Sequence, residues 1–124
     1  MSKQRPVNLD LFSIKQPLPA IASIIHRVTG LILFVGIAIL IYLLDQSLRS
    51  EQSFASLQET LNGGFVKLVI WGVLSALIYH FVAGIKHLLM DFGIGETIEG
   101  AELGAKITIG ISAVLILYTG ISIW

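Results

Sequence analysis

The chain has 124 residues, of which 55% are hydrophobic and only 13% charged, about half the charged fraction of an ordinary soluble domain. Its eight Lys and Arg balance its eight Asp and Glu, and it has no cysteine. The first fact argues against a nucleic-acid partner; the second excludes disulfides, cysteine-held iron–sulfur clusters and covalently attached haem. With no Gly-rich dinucleotide fingerprint and no P-loop either, any redox chemistry needs a non-covalent cofactor or a partner chain.

Residues 1–19 are polar to amphipathic, and Pro17 and Pro19 keep helix from running continuously through them. Lys3, Arg5, Asp10 and Lys15 leave no apolar h-region there, so no cleavable signal peptide is expected and the first span acts as its own insertion signal. A helix is predicted over about 20–44. The polar segment Asp45–Gly64, with Asp45, Arg49, Glu51 and Glu59, reads as a connector ending in the turn Asn62-Gly63-Gly64. A second helix is predicted over about 65–90. An acidic, glycine-rich connector follows, with Glu96, Glu99 and Glu102, and a third helix is predicted over about 105–124, ending at the interfacial aromatic Trp124.

Three runs lack any Asp, Glu, Lys or Arg: Val28–Leu44, Leu68–Ile85 and Ile107–Trp124, of 17, 18 and 18 residues. As helices they measure about 25–27 Å, close to the hydrocarbon thickness of a bilayer. A buried core helix explains one such run, but not three in a chain with so little polar sequence to cover them. The expected fold is an all-α membrane protein: three transmembrane helices in a 20–124 domain, preceded by a short cytoplasmic or interfacial segment, 1–19.

Orientation follows from Lys and Arg. Lys3, Arg5, Lys15, Arg27, Lys86 and Lys106 lie toward one side, Arg49 and Lys67 toward the other. Six against two puts the N-terminus and second connector in the cytoplasm and Trp124 outside.

Ionisable residues inside a span are costly and mark candidate sites. Ser23, His26 and Arg27 stand near the start of the first helix. Ser23 and Arg27 are i, i+4 and share a face. In the plainer reading Arg27 snorkels to lipid phosphate and Ser23 bonds its own helix. In the other, a hydroxyl and a guanidinium on one face at membrane depth serve a quinone, whose carbonyl needs a donor and whose reduced oxygen gains from a cation.

His80 lies about 15 Å before Met90 along its helix, well inside the hydrocarbon. Gly72, Ala76, His80 and Gly84 form an i, i+4 stripe. Small residues beside a histidine suit a helix–helix contact with the imidazole bonding across it; they also suit a flat macrocycle with His80 as an axial haem ligand. His87 is about 10.5 Å from His80 along the helix, too far to share one iron with it. The spacing places His26 at a different depth from His80 and at a depth similar to His87. That leaves His26 and His87 as the only intra-chain axial pair; otherwise a second ligand comes from another subunit.

Arg5-Pro6, then Ser23-x-x-His26-Arg27-x-Thr29, resembles the first signature of the succinate dehydrogenase cytochrome b subunit family. His80-x-x-x-Gly84-Ile85-Lys86-His87-Leu88-x-Met90-Asp91-x-Gly93 resembles the second. The resemblance spans the whole chain and is closest to the enterobacterial type; Lys86 departs from it where arginine is usual, keeping the charge but losing the bidentate fork. It implies a bacterial inner-membrane anchor that pairs with a second three-helix anchor and holds one haem b between them. His80 would be one axial ligand and the partner would give the other. It also implies that Ser23 and Arg27 line a ubiquinone site, that His26 and Arg27 lie near the haem propionates, and that His87 is a secondary candidate near either. An iron–sulfur subunit and a flavoprotein subunit would dock on the cytoplasmic face and deliver electrons from succinate, which this chain has no cofactor to oxidise itself. Competing readings are a fumarate reductase anchor, a small transporter or proton-relay subunit conducting through His26, Arg27 and His80, and a haem-free structural anchor.

Overall fold

The computed structural model describes residues 17–124; most of the expected 1–19 segment, with Lys3, Arg5-Pro6 and Lys15, lies outside the described residues. Four helices follow in order: α1 Leu18–Arg49, α2 Glu51–Leu61, α3 Gly64–Asp91 and α4 Ile98–Ile123. α1, α3 and α4 are each long and apolar enough to cross a membrane, as the uncharged runs require.

The boundaries differ from the sequence reading where polar residues are helical. Pro17 is the extended cap of α1 and Pro19 occupies its first turn, where a missing N–H costs nothing. At its other end α1 continues to Arg49, whose guanidinium pairs with Asp45 one turn back at 2.7 Å. The expected connector is itself a helix, α2. Ser50 caps it, accepting from the Ser53 N–H at 3.0 Å, and Glu51 fills its first turn, both favourable at a helix N-terminus. The Ser53 hydroxyl in turn donates to the Gln46 carbonyl at 2.6 Å, folding α2 back onto α1. α4 starts seven residues earlier than predicted, because the Thr97 side chain accepts the Gly100 N–H at 3.0 Å and nucleates the turn.

α3 ends in a Schellman arrangement. The Ile94 N–H reaches the Leu89 carbonyl at 2.9 Å and the Gly93 N–H reaches Met90 at 3.0 Å. Gly93 there has φ +85°, a left-handed conformation that glycine adopts without Cβ strain.

α3 is the central helix and packs against both α1 and α4. The buried set is small: Ala22, Leu33, Val73, Ala76, Tyr79, Ala83 and Ala105, with Thr29, Thr108 and Ser112. Large apolar side chains instead point outward, Phe34 at 84% and Ile121 at 79% exposure. In water this would be an aggregating surface; against lipid it needs no cover, and close helix approach falls to small residues. At Gly36 an added methyl would come within 2.8 Å of Val73 Cγ1, and at Gly120 within 3.0 Å of the Trp71 ring. The second approach is also bonded, since Trp71 Nε1 donates to the Ile116 carbonyl at 2.9 Å.

Candidate functional site

The three histidines of the chain meet on the contact between α1 and α3. The His26 ring stacks on His80, centroids 4.0 Å apart and planes 8° from parallel, and meets His87 edge-on at 5.0 Å. This corrects the depth argument, which separated His26 from His80. Measured from the observed ends, His26 is eight residues past Leu18 and His80 eleven before Asp91. At 1.5 Å per residue these are depths of about 12 and 16 Å in neighbouring spans that run in opposite directions. A difference of about 4 Å, the rise of three residues, is within the reach of two imidazoles.

The same geometry bears on the alternative of His26 and His87 as two ligands of one iron. Trans ligands with metal–nitrogen distances of about 2 Å put their ring centroids about 6 Å apart, with the macrocycle plane between them. The two rings are closer than that, at 5.0 Å, with 61° between their planes.

His80 is tied to α1 by its backbone-side nitrogen. Nδ1 lies 3.0 Å from the His26 carbonyl and 3.1 Å from Thr29 Oγ1. A carbonyl only accepts, so Nδ1 carries the proton and donates. The Thr29 hydroxyl gives its own hydrogen to the His26 carbonyl at 2.8 Å, which leaves its oxygen free to accept from Nδ1. Both contacts demand the same tautomer, and Nε2 is left with its lone pair. The imidazole therefore does bridge two helices, as a plain packing contact would, while keeping a second ring nitrogen, of the kind that can bind a metal, unused by any described residue.

His26 Nε2 is buried without a hydrogen-bond partner. A buried polar atom left bare is costly, so a group outside the described residues is the natural partner for it. Gly84 leaves the space beside it open, since a methyl there would lie 3.9 Å from His26 Nε2. Gly30 does the same for His80: a methyl would stand 3.2 Å from Cε1. Of the small-residue stripe on α3, Ala76 is buried, whereas nothing lies within 4 Å of where a side chain at Gly72 would begin.

Ser23 is half-buried and Arg27 exposed, one turn apart on α1. Most helical hydroxyls here bond their own backbone: Ser75 reaches Trp71 at 2.6 Å, Ser122 reaches Tyr118 at 2.9 Å. Ser23 makes no such bond among the described residues, so its hydroxyl is available. Arg27 likewise has no ion pair among the described residues, and a guanidinium there suits an anion or a carbonyl.

Sequence reasoning missed Tyr79. Its hydroxyl donates to the Ala22 carbonyl at 2.7 Å, and both residues are buried. This bond clamps α3 to α1 beside Ser23. The signal was a tyrosine in mid-span, whose hydroxyl must find a partner away from water.

Residues 1–119 match the family model for the succinate dehydrogenase/fumarate reductase transmembrane subunit. Over 125 aligned positions the chain is 39% identical to the succinate dehydrogenase cytochrome b556 subunit of Coxiella burnetii, covering all of both proteins. It is 34% identical to the cytochrome b556 subunit of Paracoccus denitrificans, covering 93% of this chain and 88% of that one. With the succinate dehydrogenase cytochrome b560 subunit of Reclinomonas americana the identity is 32%, over 90% of this chain and 81% of the relative.

Proposed function

The chain belongs to the succinate dehydrogenase/fumarate reductase transmembrane-subunit family, and on that premise we propose that it is the cytochrome b anchor of a bacterial succinate:quinone oxidoreductase. Its task is threefold: to hold the soluble dehydrogenase at the membrane, to form half of a haem b pocket, and to contribute to the site where ubiquinone takes up two electrons and two protons.

The observation that carries the haem reading is the locked His80 imidazole. A histidine ligand normally donates its second ring N–H to a carbonyl or hydroxyl, which fixes the tautomer and aims the other nitrogen. His80 has that arrangement before any metal is considered. The surroundings fit as well: among the described residues His26 Nε2 is buried without a partner and Arg27 has no ion pair, leaving a cation suited to a propionate, and Gly30 keeps a Cβ away from the His80 ring. A b-type haem bound there would supply a one-electron carrier close to the quinone. His80 would hold the haem iron from this chain and a second anchor subunit would supply a further ligand, which would make the cofactor part of the subunit contact.

At the quinone, Ser23 offers a hydroxyl to one carbonyl oxygen and Arg27 a cationic donor that favours negative charge developing there. Both sit on the N-terminal turns of α1, at the end where the Lys and Arg count puts the cytoplasm. An iron–sulfur subunit and a flavoprotein subunit docked on that face would deliver electrons from succinate, with His87 a further candidate for contact with quinone or propionate. The protein would thus be a multi-pass component of the inner membrane, with Trp124 toward the periplasm. A reporter fused after Trp124 should be active only if it works in the periplasm; activity confined to the cytoplasm would separate Ser23 and Arg27 from the dehydrogenase and overturn the arrangement.

The test of the whole reading is an optical spectrum of the chain purified in mild detergent with its co-purifying subunits. A b-type Soret band with succinate-driven reduction is expected. A complex that still carries the dehydrogenase, with flavin and iron–sulfur absorbance but no Soret band, would make the chain a haem-free anchor.

A further inference from the structure

Resting on the assignment of His80 as an axial ligand, we infer that Thr29 is the positioning residue for that ligand and that it sets the electron-donating strength of the His80 imidazole. Thr29 is 7% exposed and is used twice. Its hydrogen goes to the His26 carbonyl at 2.8 Å, and its oxygen lies 3.1 Å from His80 Nδ1. Nδ1–H is therefore shared between two acceptors, the His26 carbonyl at 3.0 Å and the Thr29 hydroxyl. Acceptors on Nδ1–H draw its proton outward, push electron density to Nε2 and make it the more basic donor.

The arrangement closes a small ring of bonds: Thr29 hydroxyl to His26 carbonyl, His26 carbonyl to His80, His80 to Thr29. The stacked His26 ring lies on one side of the His80 plane, and Gly30 admits the Cε1 edge without a Cβ to displace it. The ring's rotation about its own bonds is thereby limited from two directions. Because every member except His80 belongs to α1, the orientation of the ligand on α3 is set by the helix that bears Ser23 and Arg27. Apart from the ligand itself, the hydroxyl is the one element of this knot that a substitution removes without touching the backbone.

A more basic axial nitrogen favours ferric over ferrous iron, so losing one of its two acceptors should raise the haem midpoint potential. In the intact complex, Thr29→Val keeps the shape and removes the hydroxyl; Thr29→Ala does so without β-branching, should the valine variant assemble poorly. Either is expected to shift the potential upward and to alter the g-values of the oxidised low-spin haem, with haem content near that of the parent. Thr29→Ser should restore both. An unmoved potential and unchanged g-values in Thr29→Val or Thr29→Ala would overturn the inference, as would a shift that Thr29→Ser fails to reverse. His80→Leu, measured alongside, separates the two levels. If it leaves the low-spin spectrum intact, the ligand assignment falls and this inference with it. If it abolishes that spectrum while the Thr29 variants shift nothing, only the role of Thr29 fails.

Discussion

The central helix α3 packs against its two long neighbours by different means. Toward α1 it presents polar atoms: Tyr79 bonds the Ala22 carbonyl, and His80 bonds the His26 carbonyl and Thr29. Toward α4 it presents shape: Gly120 lets the Trp71 ring approach, Trp71 Nε1 holds the Ile116 carbonyl, and Ala105 and Thr108 are almost fully buried. Lipid is as apolar as leucine, so neither seam gains from the hydrophobic effect, and small residues plus a few interhelical bonds are the means available. Polar groups are costly in a bilayer. A seam that needs only to hold would use few of them, and the α3–α4 seam does. The α1–α3 seam concentrates three histidines, a tyrosine and a threonine, more than holding requires; one of those imidazoles keeps a buried nitrogen with no described partner, as the Ser112 hydroxyl on α4 also does. The excess supports the proposal that the α1–α3 seam is the functional one.

Breaking the functional seam should give the largest effect. His80→Leu removes the proposed ligand, and the low-spin haem spectrum should disappear or become high-spin. Because the haem would join two chains, the complex should also dissociate more readily in detergent. Arg27→Leu comes next. A lost hydrogen bond to a charged donor is worth about 1.5–3 kcal/mol, so quinone reduction should fall roughly ten- to a hundredfold. Ser23→Ala removes a neutral hydroxyl, worth about 0.5–1.5 kcal/mol, and should cost roughly three- to tenfold. In both, succinate oxidation with a soluble artificial acceptor should stay near the parental rate. If both activities fall together with the amount of complex, Ser23 and Arg27 are structural and the contrast between the seams weakens.

How much of this contrast was legible beforehand divides along physical lines. The three spans were, because an uncharged run of bilayer length admits few alternatives. Helix α2 was not. Its polar residues suggested a connector, although Ser50 as a cap and Phe54, Leu57 and Leu61 at helical spacing carry the signal. The early start of α4 was likewise encoded in Thr97 and Glu99, and hidden by the charge count of that stretch. Ser23, Arg27 and His80 stood out because ionisable or hydroxyl residues within a span are conspicuous. The meeting of His26 with His80 depends on the relative height of two spans, which no spacing within one helix reports. Thr29 looked like a motif position only; its double hydrogen bond exists once two helices are brought together.

Packing residues of the α1–α3 seam away from the histidines should respond differently. Gly36→Ala puts a methyl within 2.8 Å of Val73 Cγ1, and overpacking of this kind costs about 1–3 kcal/mol. Thermal stability of the detergent-solubilised complex should drop, with the haem spectrum and the quinone-to-artificial-acceptor ratio unchanged in whatever complex remains. A changed spectrum would mean that the α1–α3 contact transmits strain from Gly36 to the histidines, and the separation of holding from function along this seam would fail.

The smallest effect is expected at Tyr79, where the two roles come closest together. Tyr79→Phe removes only the hydroxyl that donates to the Ala22 carbonyl at 2.7 Å. That carbonyl still accepts from its own helix, so no backbone group is orphaned, and the phenyl ring fills the same space. Interhelical hydrogen bonds in membranes average about 0.6 kcal/mol, with a maximum near 1.7, so the complex should lose no more than that in stability. Function is the sharper readout. Ala22 immediately precedes Ser23, and releasing the clamp lets the first turns of α1 shift relative to α3. If the clamp positions Ser23, KM for quinone should rise by less than the Ser23→Ala defect, while the haem potential, held by the separate Thr29–His80 knot, stays put. A potential that moves together with KM would show that Tyr79 and Thr29 hold one rigid unit, and that the quinone and haem ends of the seam are not independently adjustable.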